Sequence, residues 1–220
     1  MIPFFISKCK TKNISSREIP HLTNLHSSSF VKSDKYPFMQ ISRTAKILLL
    51  GANIWYFGEG MFGPLFAVFA ERVGGDILDI TWAWATYLMM TGVFYIVVGK
   101  LISGKKYKNK VMIAGYGLNA LFTFGYLFVS SPWHLFFIQA GLGIAEAVGT
   151  PAWDALYAQS IDKEADTFAW GLASGQSQIV TGLAIIGGGL IVHYFSFNTL
   201  FIFMGIIQII ATLIQAKILK

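Results

Sequence analysis

The sequence predicts an all-α polytopic membrane protein, a bundle of six transmembrane helices. Its 220 residues are 55% hydrophobic and only 13% charged, with a mean hydropathy of +0.58, a composition that is not typical of soluble domains. The apolar stretches run for about 20 residues, the length at which a helix crosses roughly 30 Å of hydrocarbon. A membrane β-barrel would instead need short segments of alternating polarity. Helices are therefore expected throughout the membrane part.

The chain divides into a polar N-terminal segment and a membrane domain. Residues 1–45 are rich in Ser and Lys and have no sustained apolar period, so we expect a disordered, basic cytoplasmic tail. Met39 within it is a second candidate translation start. Residues 217–220 are expected to form a short cytoplasmic C-terminus. The six spans are predicted over 46–70, 82–103, 111–129, 133–158, 169–194 and 198–216.

Basic residues alternate between the two sides of the predicted bundle. Lys and Arg precede the first span, cluster at 100–110 and follow the last span, whereas the loops on the opposite side, after the first, third and fifth spans, contain only Arg72. The positive-inside rule therefore predicts that both termini are cytoplasmic and that the 73–80 loop is external. We expect an integral protein of a bacterial-type inner (plasma) membrane, with the lipid bilayer as its surroundings. Although the net charge is +6, this sorting by side argues against a nucleic-acid partner.

Sequence motifs for catalysis or cofactor binding are not supported. Residues 58–63 match the pattern GxGxxG, but the dinucleotide fingerprint requires a strand, a turn and a helix N-terminus rather than a membrane helix. The sequence contains no HExxH, CxxC, GxSxG or GxxxxGK[ST] pattern, and its single cysteine, Cys9, excludes an intramolecular disulfide. We therefore expect no enzymatic activity, cofactor, metal site or ATP motor.

Two glutamates lie near the middle of predicted spans, Glu59 in the first and Glu146 in the fourth. A carboxylate at the centre of a membrane helix costs about 2.5–3.5 kcal/mol on insertion scales, so it usually faces a polar cavity, a partner or a proton path. Three interpretations remain open: proton or cation coupling, substrate contact without protonation, and a neutral acid hydrogen-bonded inside the bundle. Asn53, six residues before Glu59, is a weaker candidate for the same cavity because it lies toward the side of that helix face.

A polar stripe runs along the fourth predicted span. Gln139 and Glu146 are seven residues apart and share one helix face, and Thr150 and Asp154 continue this stripe toward the cytoplasm. For Asp154, a gate or loop contact is the alternative to a cavity role. Trp153 is a further candidate to line a cavity for an organic solute, with packing or lipid contact as the alternative.

The loop between the second and third spans is similar to one that marks the major facilitator superfamily. In that family a Gly and a Leu are followed by Asp-Arg and then by Gly-Arg-Lys. That Asp makes charge contacts with the other half of the transporter. In this sequence Ser103 stands at its position. The matching positions are Gly99, Leu101, Lys105 and Lys106.

The later spans extend this resemblance. Residues 139–157 are similar to the family's small-residue fourth helix, and residues 161–189 to its acidic turn and glycine-rich fifth helix. From about residue 44 to 216, the order and spacing of these motifs resemble one six-helix half of a member. A typical member has two such halves, with the substrate near the midplane between them. In this family the first and fourth helices of each half face the cavity, and these are the spans with the two glutamates.

The resemblance implies a secondary active transporter of a small solute, coupled to protons or cations. With six helices, the chain would need a second half, from a second copy in a homodimer or from a separately encoded partner. The alternative is a non-transporting membrane scaffold or assembly protein that retains the half-transporter fold.

Overall fold

The computed structural model of the chain describes residues 42–162 and 166–219. Within these residues the chain forms seven α-helices and no strand, which confirms the all-α fold class. Short 3-10 helices at Tyr126–Phe128 and Lys217–Leu219 extend the fourth and seventh helices. The helices are α1 (Arg43–Gly60), α2 (Leu65–Arg72), α3 (Ile77–Ile102), α4 (Lys108–Gly125), α5 (Pro132–Ser160), α6 (Asp166–Tyr194) and α7 (Phe197–Ala216).

Five of these helices, α3 to α7, are long and apolar enough to cross a membrane. The remaining predicted span is divided between α1 and α2, so the expected six-span bundle fits with one span built from two helices. α1 begins at Arg43 with Ser42 as its N-cap, whose side chain accepts a hydrogen bond from Ala45 N at 3.1 Å. Residues 43–45 are therefore helical rather than part of a disordered tail. The rest of that tail, including Met39, lies outside the described residues.

The first span is not the continuous helix predicted over 46–70. α1 ends at Gly60, residues 61–64 form a turn, and α2 begins after Pro64. Proline lacks the N–H that a continuing helix would use, and its ring clashes with the carbonyl one turn earlier. The turn brings the Met61 carbonyl so close to Gly188 of α6 that a β-carbon at position 188 would clash with it.

The helices differ strongly in how much of their surface the bundle covers. α5 packs against α3 and α4, while α1 packs against α6 and α7. Half of the apolar window of α5 is buried, against only 17% for α3 and for α6. α5 is therefore central, and α3 and α6 are peripheral helices whose outer faces are uncovered within the described chain.

Glycines allow α3 and α4 to approach α5 closely. A β-carbon at Gly115 of α4 would clash with the backbone of Gly149 in α5. A β-carbon at Gly143 of α5 would lie 2.6 Å from the carbonyl oxygen of Tyr87 in α3. Because helix association in lipid depends on close packing rather than on hydrophobic expulsion, these contacts fix the positions of the polar residues beside them.

An aromatic cluster holds the interrupted first span in place. The ring of Phe62, in the turn, lies 4.9–5.8 Å from those of Phe66, Phe69, Tyr126 and Phe201, measured between centroids. Edge-to-face pairs at these distances are favourable. The cluster thus packs the turn and α2 onto α7.

Candidate functional site

A small cleft lies between α1, α4 and α5. Its volume is about 50 Å³, which is room for only a few water molecules. An organic solute therefore needs more space than these three helices enclose. The lining residues are Ala52, Trp55, Tyr56, Gly115, Tyr116, Asn119, Ala145, Glu146, Gly149, Thr150, Trp153 and Asp154.

Four of the predicted site residues line this cleft, and all four lie on α5. They are Glu146, Thr150, Trp153 and Asp154. The spacing of four residues from Glu146 to Thr150 and from Thr150 to Asp154 places the polar members on neighbouring turns of one helix face. Glu146 and Thr150 are half-buried, whereas Asp154 is exposed at the far end of the stripe.

The other predicted residues of the spans are not among those that line the cleft. Glu59 lies in the last turn of α1, with its Oε2 atom buried and without a hydrogen-bond partner among the described residues. Asn53 points toward α6, where its Nδ2 donates a hydrogen bond to Gln176 Oε1 at 3.0 Å. Gln139 is only 2% exposed and lies two turns before Glu146 on α5. The structure therefore places these three residues outside the cleft.

Two tyrosines of α3 hold the carboxylate of Glu146. Tyr95 Oη donates a hydrogen bond to Oε1 at 3.0 Å, and Tyr87 Oη donates one to Oε2. Tyr87, Thr91 and Tyr95 are spaced by four residues and share one helix face. That polar spacing inside an apolar span was the available signal for these two residues, which the sequence analysis missed. The pair of hydrogen bonds links α3 to α5 through one ionisable group.

Aromatic rings from three helices form much of the cleft wall. The ring centroid of Trp55 lies 5.0 Å from that of Tyr56 and 6.0 Å from that of Tyr116. Trp153 donates from Nε1 to the carbonyl oxygen of Leu48 at 3.2 Å. Because this hydrogen bond joins α5 to α1, the Trp153 indole is fixed in position at the cleft.

Two glutamines of α7 join α1 behind the cleft. Gln208 Nε2 donates to the carbonyl oxygen of Trp55 at 3.3 Å. Gln215 Nε2 donates to the carbonyl oxygen of Leu48 at 3.1 Å and to Tyr116 Oη at 3.3 Å. The Oε1 atoms of both glutamines are buried without a hydrogen-bond partner in the described part of the chain. The seam between α1 and α7 is therefore polar although it lies inside the bundle.

Glycines of α1 provide the space for these glutamines. A β-carbon at Gly58 would lie 3.2 Å from Gln208 Nε2, and one at Gly51 would lie 2.6 Å from Gln215 Nε2. The two glycines are seven residues apart on α1, and the two glutamines are seven residues apart on α7. The glycines of one helix therefore face the glutamines of the other over two turns. This matched spacing was readable in the sequence but was not used.

The basic loop lies apart from the cleft. α3 ends at Ile102, Ser103 follows as its C-cap, and Gly104 adopts a φ of +69°, a left-handed conformation that favours glycine. The sharp turn is thus set by Gly104, which follows Ser103 directly. Among the motif residues, Gly99 lies on the last turns of α3, Leu101 is 61% exposed, and Lys105 and Lys106 are exposed.

Comparison with known proteins identifies the family of this chain. Residues 48–219 match a family model described as Major Facilitator Superfamily, a range that includes every residue of the cleft. No curated protein matches the chain. Within residues 42–162 and 166–219, no group of three or more His, Cys, Asp or Glu side chains is placed to hold a metal ion. The family is one of membrane transporters rather than enzymes, and the chain belongs to the Major Facilitator Superfamily.

Proposed function

We propose that this protein is a secondary active transporter that couples the movement of a small solute to protons, with Glu146 as the coupling group. The observation that carries the proposal is the position of Glu146, at the wall of the cleft and hydrogen-bonded to two tyrosines of a neighbouring helix. Such a carboxylate is reachable from the cleft and connected to a second span, as a coupling residue must be.

Protonation of Glu146 would change how α3 is held against α5. An ionised carboxylate accepts hydrogen bonds at both oxygens, so it satisfies Tyr87 and Tyr95 together. Once Glu146 is protonated, one of its oxygens carries a hydrogen and becomes a donor, so the phenol at that oxygen has to turn and accept a hydrogen bond instead of donating one. The two charge states of Glu146 therefore favour different contacts between α3 and α5, which is the differential interaction that a coupled conformational change requires.

Glu59 is the second proposed coupling residue. Its Oε2 atom is buried and has no hydrogen-bond partner among the described residues, and a buried charge without a partner is strongly unfavourable. A proton on this carboxyl group removes the charge. Because Glu59 lies one residue before the end of α1, its protonation acts at the point where the first span is interrupted.

A second six-helix unit would complete the transport cavity. The cleft is too small to enclose a whole organic solute, and the outer faces of α3 and α6 are little buried. A second copy related by a two-fold axis, or a separately encoded half, would enclose a solute near the midplane. Basic residues gather where α1 begins, α3 meets α4 and α7 ends, which favours a cytoplasmic location for this end in an inner (plasma) membrane.

Solute-driven proton flux in liposomes tests this function. Purified protein is reconstituted with a pH-sensitive dye inside, and a panel of small amines, sugars and carboxylates is added outside. We expect at least one solute to change the internal pH with the wild type, and Glu146→Gln to abolish that change. Glu71→Gln is the matched control, because Glu71 is exposed at the end of α2 and outside the cleft.

The same experiment separates transport from a scaffold role. If the protein is a non-transporting scaffold, neither the wild type nor any variant will show solute-driven proton flux with any solute. Flux that persists in Glu146→Gln at the wild-type rate would remove Glu146 from the coupling mechanism.

A further inference from the structure

The cleft contains two carboxyl groups and no basic side chain to balance them when they are ionised. Glu146 and Asp154 are its ionisable acids, and the residues that line it include no Lys, Arg or His. At the half-buried Glu146 the effective dielectric constant is lower than in water, so charges interact more strongly there. An anionic solute would therefore be repelled, and a neutral solute would leave these acids uncompensated.

The cleft also presents aromatic rings to whatever enters it. Trp55, Tyr56, Tyr116 and Trp153 come from α1, α4 and α5 and all line the same space. A cation within about 6 Å of such a ring centroid is attracted to its face, and groups of these rings recognise quaternary ammonium ligands. The hydrogen bonds that fix Trp153 to α1 and Gln215 to Tyr116 hold two of the rings in place before a ligand arrives.

The carboxylates and the aromatic rings of the cleft both favour a cationic ligand. We infer that the solute of this transporter is a small organic cation, an ammonium compound whose charged head group binds between Glu146, Asp154 and the four rings. This inference rests on the proposed function and adds the class of substrate to it. The two phenols on Glu146 are neutral donors, so they position the carboxylate without cancelling its charge. A volume of about 50 Å³ limits the buried part to a small head group.

A pair of isosteric probes tests the role of charge directly. Choline carries a trimethylammonium group, and 3,3-dimethylbutan-1-ol has the same shape with carbon in place of the charged nitrogen. Binding of each to the purified protein is measured by calorimetry in an uncharged maltoside detergent, which excludes lipid head groups. We expect choline to bind at least about tenfold more tightly than the alcohol, and the anion 3,3-dimethylbutanoate to bind no more tightly than the alcohol.

Two matched pairs of variants locate the binding. Asp154→Asn and Tyr56→Leu should each weaken choline binding about tenfold and leave binding of the alcohol unchanged. Asp162→Asn and Tyr194→Leu change the same residue types at exposed positions outside the cleft and should leave choline binding unchanged. Asp154 and Tyr56, the latter 38% exposed, are accessible enough for their variants to fold.

The outcomes distinguish this inference from the proposed function. Choline binding no tighter than that of the alcohol, or equal losses in the cleft variants and their controls, would overturn the organic-cation assignment. If the liposome experiment then shows proton flux with neutral or anionic solutes, the transport proposal stands without it. Selective choline binding together with no flux for any solute would instead support the cation site and reject transport.

Discussion

Two residue contacts determine how the site is organised, one in the cleft and one behind it. In the cleft, Tyr87 and Tyr95 hold Glu146. Behind it, Gln215 reaches the backbone of α1 at Leu48. Both contacts cross from one span to another, and both depend on polar side chains inside apolar helices. Interactions of this kind connect membrane helices more specifically than apolar packing does.

At this scale we predict that Tyr95→Phe lowers stability by about 1.5–3 kcal/mol, the usual contribution of a hydrogen bond to a charged group. The measurement is reversible unfolding in mixed micelles. Tyr107→Phe, at an exposed loop position, is the control and should change stability little. In a Glu146→Gln background the effect of Tyr95→Phe should shrink, because the two residues interact directly. Additive effects of the two changes would show that the hydrogen bond contributes nothing.

The residues of the site were only partly predictable from the sequence. A mid-span carboxylate is expensive wherever it lies, so Glu146 was identifiable, and helical periodicity then indicated Thr150 and Asp154. A tyrosine carries no such penalty, since it is stable facing lipid, head groups or the bundle. The rotation of α3 about its axis decides whether a tyrosine on it faces lipid, head groups or the bundle. That rotation is set by the packing of α3 against α5. The spacing of Tyr87, Thr91 and Tyr95 therefore indicated a shared helix face, but not that this face meets Glu146.

The helices as elements pack through glycines at specific contacts. Gly115 and Gly149 bring α4 onto α5, and Gly143 brings α5 onto α3. Other glycines meet nothing within 4 Å, including Gly171 and Gly175 on α6. The glycines therefore fall into two groups, those at close helix contacts and those with no close neighbour. Only the glycines at close contacts fix the geometry of the site.

This distinction predicts different effects for two neighbouring glycines of α4. Gly115→Ala should lower stability by about 1–3 kcal/mol, because its β-carbon would clash with the backbone of Gly149 and force the helices apart. Gly117→Ala is the matched control, since its nearest neighbour is Thr212 Cγ2 at 4.0 Å, and the better helix propensity of alanine should leave stability equal or higher. Thermal unfolding in detergent compares the two. Equal losses would contradict the close α4–α5 contact.

Two prolines show why the interruption of the first span was not predicted. Pro151 lies inside α5, and the helix continues through it, whereas Pro64 is the last residue of the turn between α1 and α2. Membrane helices tolerate proline when neighbouring groups satisfy the freed backbone, so a proline alone does not indicate a break. At the first span, Gly60 and Gly63 also weaken the helix beside Pro64, and the Met61 carbonyl packs on Gly188.

For the whole molecule, hydropathy was enough to predict an all-α polytopic membrane bundle. Long apolar segments must form helices in lipid, because every backbone polar group has to be satisfied within the segment. The cavity was harder to predict because it depends on which faces of α1, α4 and α5 meet. α3 and α6 remain mostly uncovered, and the cleft of about 50 Å³ is small for an organic solute. These features support a second six-helix unit.

The central claim, that two six-helix units of this chain form the transporter, is tested most directly by the oligomeric mass of the protein. Native mass spectrometry of the full chain, released from detergent micelles over a series of dilutions, reports it. We predict a stable dimer of about 49 kDa, twice the chain mass of 24.3 kDa. A strict monomer at every concentration would contradict the homodimer.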